Sequence, residues 1–118
     1  SKINSFRDLL IWQKAMVLVT EVYKVTQQFP STEVYGLSSQ IRRSAVSIPS
    51  NIAEGYGRNS TGDYRRFLQI AIGSLFELQT QLEVSHNIGY LEKNVFDRLF
   101  EKTAELDRMM HSLTKKIV

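Results

Sequence analysis

Between Tyr64 and Ser85, the residues Tyr64, Leu68, Ala71, Leu75, Leu78, Leu82 and Ser85 recur at alternating steps of four and three. That period is the seam of a helix packed lengthwise against other helices, and a strand, whose faces alternate every second residue, does not present it. Most of the stability of such a helix comes from burying the seam, so the rest of the chain has to supply its partners.

Three further helical segments are predicted. The first runs from about Arg7 to Gln28, opened by Ser5 and Asp8 in capping-box spacing and closed by Phe29 and Pro30, with Leu9, Trp12, Met16, Val19, Tyr23 and Thr26 as its seam. The second begins between Ser31 and Ser38 and stops near Tyr56, where Gly55 and Gly57 end it. Its apolar row is Leu37, Ile41, Ala45, Ile48 and Ile52, and Pro49 inside it removes a donor to the Ala45 carbonyl, which predicts a kink. The helix of the opening seam is capped by Ser60 or Thr61, carries Asp63 in its positive first turn and ends near Gly89. The last runs from about Lys93 to Lys116 without a good cap, along Leu99, Thr103, Leu106, Met110, Leu113 and Ile117, with Lys115 and Lys116 at its negative end. Short connections force consecutive helices to alternate in direction. The fold expected is therefore all-α, an antiparallel up-down-up-down four-helix bundle in one domain spanning residues 1–118.

The apolar residues exceed what these seams use. Phe67, Ile70, Ile72 and Phe76 lie off the third seam, and Leu10, Ile11, Val17, Leu18, Val22 and Val25 lie off the first. Soluble monomers seldom expose so much, so self-association through these two helices is expected. Gly73 costs the third helix about 1 kcal/mol relative to alanine. Two explanations stand equal, close approach of another subunit and packing within the subunit against Ala45 or Ala53.

Composition narrows the chemistry. With no cysteine there are no disulfides, thiolate metal sites or cysteine nucleophiles. No segment has the length and apolarity of a membrane span or a signal peptide, and a cytoplasmic protein without a membrane partner is expected. The net charge of +3 is local: residues 36–70 hold five arginines, no lysine and two acids, whereas the remainder balances. Arginine presents a rigid fork suited to phosphate, so Arg42, Arg43, Arg58, Arg65 and Arg66 are the candidate nucleic-acid-binding residues. Tyr56 and Tyr64 flank this loop and offer base stacking, although tyrosines so placed more often belong to a core or an interface.

Beside the apolar row of the second helix runs a polar one, Arg43, Ser47, Asn51, Glu54 and Arg58, with Glu54 and Arg58 at ion-pair spacing. An amide and a hydroxyl at fixed helical intervals are more specific than a merely solvated face requires.

Catalytic patterns are incomplete. A di-iron bundle needs two Glu-x-x-His motifs, but only Glu83 and His86 make one, since His111 follows Asp107 at four residues. Neither histidine has the upstream arginine of helical toxin ribonucleases, and Gly55, Gly57 and Gly62 do not make a phosphate loop. Glu54 and Glu77, on adjacent helices, are expected to pair with arginine or serine donors, within a subunit or between copies, and to fix register and assembly rather than work as acid and base. The expectation is a protein with no catalytic residue, no metal and no cofactor.

The run FPSTEVYGLSSQIRRSAVSIPSNIAEGYGR and the later DYRRFLQIAIGSLFELQTQLEVSHNIGYL resemble the 23S rRNA intervening-sequence proteins, small bacterial four-helix bundles. The specific segments are SIPSNIAEG, with Ser47, Pro49, Asn51, Glu54 and Gly55, and GSLFELQTQL, with Gly73, Ser74, Glu77 and Leu82. Among these, Ser47, Asn51, Glu54 and Glu77 are the polar positions expected to serve structure or assembly. The resemblance implies a homopentameric ring, similar in fold to the basic accessory protein of diversity-generating retroelements, which acts with a reverse transcriptase. It also implies a function largely unassigned. Three readings follow in order: an oligomer associated with RNA or DNA or with a nucleic-acid enzyme, a protein-interaction scaffold without nucleic acid, and a cryptic enzyme.

Overall fold

The computed structural model describes residues 2–117, and its regular structure there is helical throughout. The four α-helices are α1 (Leu10–Thr26), α2 (Leu37–Tyr56), α3 (Thr61–Asn87) and α4 (Lys93–Lys116), preceded by 3-10 turns at Phe6–Asp8 and Ser31–Glu33. Each helix touches two others, α1 with α2 and α4, and α3 with α2 and α4, in a body of 43 × 25 × 21 Å consistent with a four-helix bundle.

Three of the four seams lie where their periodicity puts them. Ile41, Ala45, Ile48 and Ile52 of α2 are fully buried, as are Leu68, Ala71, Leu75 and Leu78 of α3, with Leu82 and Ser85 continuing the row. In α4 the buried row is Leu99, Thr103, Leu106 and Met110, flanked by half-buried Leu113 and Ile117. Ser60 caps α3 by accepting the Asp63 amide at 3.1 Å, whereas Glu92 gives α4 no side-chain cap. Gly89, at φ +88°, takes the left-handed conformation that turns the chain out of α3. Helix α2 runs unbroken through Pro49, which is buried.

Helix α1 departs from the reading of its sequence in both register and extent. Its buried row is Ile11, Ala15, Leu18, Val22 and Thr26, while Met16 and Tyr23 of the expected seam are exposed and Leu9, Trp12 and Val19 are half-buried. Both rows step by three and four, so periodicity alone did not choose between them. The capping box of Ser5 and Asp8 is present but closes a 3-10 turn, and extended Leu9 separates that turn from α1. The turn carries Phe6 edge-on to Trp12, with ring centroids 5.2 Å apart. At the other end α1 stops at Thr26, two residues early. Thr26 Oγ1 donates to the Val22 carbonyl at 2.8 Å and accepts from Arg42 Nε at 2.8 Å.

The apolar surplus is consequently smaller than the count of residues implied. Ile11, Leu18, Val22 and Ile72 are core. Leu10, Val17, Ile70 and Phe76 remain exposed, and Met16, Val46, Val84 and Ile88 join them. Gly73 is also exposed, and a Cβ there would meet nothing within 4 Å, which removes packing against Ala45 or Ala53 as its explanation.

Polar links between helices fix the register. Lys14 pairs with Glu105, and Glu21 with both Arg98 and Lys102, across α1 and α4. Partial burial pushes the Glu21 carboxyl up, but Lys102 and Arg98 together outweigh it and hold the group below its ordinary range. Gln79 donates to Thr103 at 3.0 Å across α3 and α4. At the far end Glu33 ties three elements, accepting the Leu37 amide at 3.1 Å and the Tyr90 hydroxyl at 2.9 Å. No helix of the described residues is long and apolar enough to cross a membrane.

Candidate nucleic-acid interface

The middle of the polar row of α2, Ser47 and Asn51, lies at the seam with α3, whereas Arg43, Glu54 and Arg58 of the same row are exposed. Ser47 Oγ lies 2.8 Å from Ser74 Oγ, and Asn51 Nδ2 donates both to Ser47 Oγ at 2.9 Å and to its carbonyl at 2.8 Å. These half-buried groups satisfy one another along the α2–α3 seam. Below them, Gly55 lets the helices touch: a Cβ there would stand 2.7 Å from Phe67 Cβ. A buried pair absent from the sequence reading, Ser44 and Gln81, continues the seam, with Ser44 Oγ donating to Gln81 Oε1 at 2.7 Å. Gln81 Nε2 in turn donates to exposed Glu77 at 3.3 Å. Within the subunit Glu77 therefore pairs with an amide rather than with an arginine or serine, while Glu54 does take Arg58, at 2.9 Å. The two carboxylates share no partner.

The five arginines do not form one surface. Arg58 and Arg66 come together at the α2–α3 turn, each guanidinium 4.7 Å from the centroid of Phe67. Their ion pairs, Arg58 with Glu54 and Arg66 with Asp63 at 3.8 Å, are exposed, and such pairs contribute only ~0–1 kcal/mol, so they yield readily to a competing phosphate. Arg65 donates to the Ile117 carbonyl and thereby brings the end of α4, with exposed Lys115 and Lys116, beside the start of α3. Arg58, Arg65, Arg66, Lys115 and Lys116 thus gather toward one, basic end of the bundle, with Glu54 and Asp63 among them.

Arg42 and Arg43 lie apart, near the start of α2 and roughly 20 Å of helix axis from Tyr56. Arg42 closes α1, hydrogen-bonded to Thr26 and the Tyr23 carbonyl and 4.6 Å over the Tyr23 ring, a cation at a negative helix end. Arg43 is exposed and has no ion pair among the described residues. The two arginines line an open groove of about 400 Å³ with Tyr23, Val34, Ser39 and Val46.

Tyr56 and Tyr64 pack edge-on to each other, 6.2 Å between centroids, and are half-buried. Burial pushes the Tyr64 hydroxyl up, with neighbouring Tyr56 adding to the shift. The pair fills the α2–α3 corner. The tyrosine available for contact is instead Tyr35, 98% exposed. Its place in a Gly-flanked loop before α2 was the only signal in the sequence.

The histidines have local partners. His86 stacks on Phe96 at 5.0 Å and bonds the Leu91 carbonyl through Nδ1, while His111 Nδ1 is 2.7 Å from Asp107 Oδ1. Among the described residues no three His, Asp or Glu side chains converge as a metal site.

The similarity of this chain to known proteins agrees with its geometry. The family model of the 23S rRNA-intervening sequence proteins matches residues 7–112. One solved structure, a protein of unknown function from the S23 ribosomal protein family of Bacteroides thetaiotaomicron, has a TM-score of 0.81. It is 23% identical, with 90% of this chain and 99% of that chain covered, and it attests the fold alone. No curated protein matches the sequence. A helical chain with these seams, matched over nearly its whole length, belongs to the 23S rRNA-intervening sequence protein family.

Proposed function

We propose that this protein is a non-enzymatic, antiparallel up-down-up-down four-helix bundle that assembles into a homo-oligomeric ring and associates with RNA or DNA. The observation that carries the nucleic-acid reading is the basic end, where Arg58 and Arg66 share Phe67 and Arg65 holds the lysine-bearing end of α4 alongside them. The alternating direction of the helices is supported by partners whose numbers fall along one helix as they rise along the next, Ser44 with Gln81 and Ser47 with Ser74. The ring, pentameric as the resemblance implies, is supported by exposed Met16, Val17, Ile70 and Phe76 and by the open surface at Gly73. Copies of the basic end on one rigid body raise the effective concentration of each weak phosphate contact. This is also the mode suggested by the likeness to the retroelement accessory protein that the family resemblance implies.

The test is a gel-shift and anisotropy titration of the assembled protein against single- and double-stranded oligonucleotides over a range of salt. Changing Arg58, Arg65 and Arg66 together to alanine is expected to weaken binding and to flatten the logarithmic salt dependence by roughly 2 for single strands. Equal affinity and slope in the triple variant would reject the basic end as the interface. A second reading, a scaffold for proteins without nucleic acid, is favoured by the apolar groove of about 430 Å³ between Leu9, Leu10, Met109 and Leu113. It predicts no retardation of any oligonucleotide together with a protein partner co-purifying from the native cell.

A further inference from the structure

A groove at the start of α2 carries positive charge of its own, apart from the basic end. Two arginines, a serine and a tyrosine face it, and no carboxylate does. Arg42 is held in place by Thr26 and by the Tyr23 ring and carbonyl, so its charge is positioned before any ligand arrives. Arg43 beside it has no ion pair among the described residues, and the Ser39 hydroxyl adds a donor. Glu33, which precedes Val34 of the groove lining, has its carboxylate occupied by the Leu37 amide and the Tyr90 hydroxyl. Such a concavity concentrates anions, and a fork of two guanidiniums suits a phosphate.

The second observation is aromatic. Val34 lines the groove at 54% exposure, and the next residue, Tyr35, is 98% exposed. A tyrosine that buries almost nothing contributes nothing to its own fold. An uncovered ring one residue along the chain from the lining of a cationic groove supplies the combination by which proteins hold single strands, the groove tracking the backbone and the ring stacking on a base. In a duplex the base faces are stacked on one another and closed to such a ring.

Resting on the nucleic-acid reading above, we infer that this groove is a subsite for one nucleotide of a single strand, its phosphate on Arg42, Arg43 and Ser39 and its base on Tyr35. The site lies at the opposite end of α2 from Arg58, so one protomer would engage two separated stretches of a strand.

Arg43→Ala and Tyr35→Ala are the appropriate variants, because neither side chain supports the fold. Each is titrated by fluorescence anisotropy with a labelled oligothymidylate and with a duplex of equal length, beside the wild type and the Arg58, Arg65 and Arg66 triple variant. Arg43→Ala is expected to weaken single-strand binding and to lower the salt slope by about 0.7. Tyr35→Ala is expected to weaken it between roughly fivefold and a hundredfold at unchanged slope, with little effect on the duplex. Wild-type affinity in both, with binding lost in the triple variant, overturns the subsite and leaves the basic end standing. Failure of the wild type to bind either oligonucleotide overturns both readings. A change of assembled mass in Arg43→Ala or Tyr35→Ala would assign the groove to a contact between copies and overturn the subsite alone.

Discussion

Gly55 offers the sharpest test of how α2 and α3 meet. It is buried, and a Cβ added to it would fall 2.7 Å from Phe67 Cβ, 3.1 Å from Tyr64 Cδ1 and 3.3 Å from the Tyr64 carbonyl. Ordinary contact begins at 3.4 Å, so the first of these is short by about 0.7 Å. Neither Phe67 Cβ nor a backbone oxygen can swing aside as a side-chain tip does, so Gly55→Ala has to push the two helices apart. Overpacking of this kind costs about 1–3 kcal/mol. Alanine recovers up to about 1 kcal/mol of helix propensity. The net loss expected is about 1–2 kcal/mol, a fall in Tm of roughly 4–8 °C for a domain of this size. Adding Phe67→Ala should not restore stability, because alanine retains the Cβ that clashes. Gly73→Ala is the matched control: with nothing within 4 Å, it should gain about 0.5–1 kcal/mol from propensity unless another copy packs there. Thermal melts followed by circular dichroism at several protein concentrations measure both. If Gly55→Ala melts at or above the wild-type temperature, the close approach of α2 to α3 is not a real constraint. A loss of assembled mass with Gly73→Ala would identify that surface as the contact between copies.

Two further outcomes are expected. Ser44→Ala should cost about 1–3 kcal/mol, because buried Gln81 Oε1 loses its donor, whereas Ser44→Ala with Gln81→Leu should recover much of the loss; urea unfolding of the two singles and the double measures the coupling. The Leu37 amide, followed by the Tyr90 hydroxyl, holds the Glu33 carboxyl below its ordinary value of 4.5, so its contribution is present above that value and is lost as pH falls through the lower folded-state value. Acid-side melts should therefore show a shallower loss of stability in Glu33→Gln than in the wild type, and identical pH profiles would count against this link between α2 and the α3–α4 turn.

The sequence alone determined the helical class, the bounds of α3 and α4 and the end of α2 to within a residue or two, and the buried rows of those three helices, while the start of α2 stayed open between Ser31 and Ser38. The rows of α2 and α4 stand out against largely polar neighbours, so the helical period has one solution there, and in α3 the long leucine row keeps its register despite Phe67, Ile70 and Phe76 beside it. The sequence also determined the Glu54–Arg58 pair and a hydroxyl cap at Ser60 or Thr61, of which the structure uses Ser60. What only the tertiary structure decided is whatever depends on which helix lies opposite. Helix α1 is apolar on several sides, and its register was chosen by the surfaces of α2 and α4 packed against it. Ser74 and Gln81 of α3 joined Ser47 and Ser44 of α2 in one seam because the two helices lie within hydrogen-bonding distance there. The arginines form a cluster in the sequence but divide in space, because α2 carries Arg42 and Arg43 to one end of its axis and Arg58 to the other. Tyr56 and Tyr64 turned inward on each other while Tyr35 was left bare, and the period of a sequence carries no information about which aromatic ring a neighbouring helix covers.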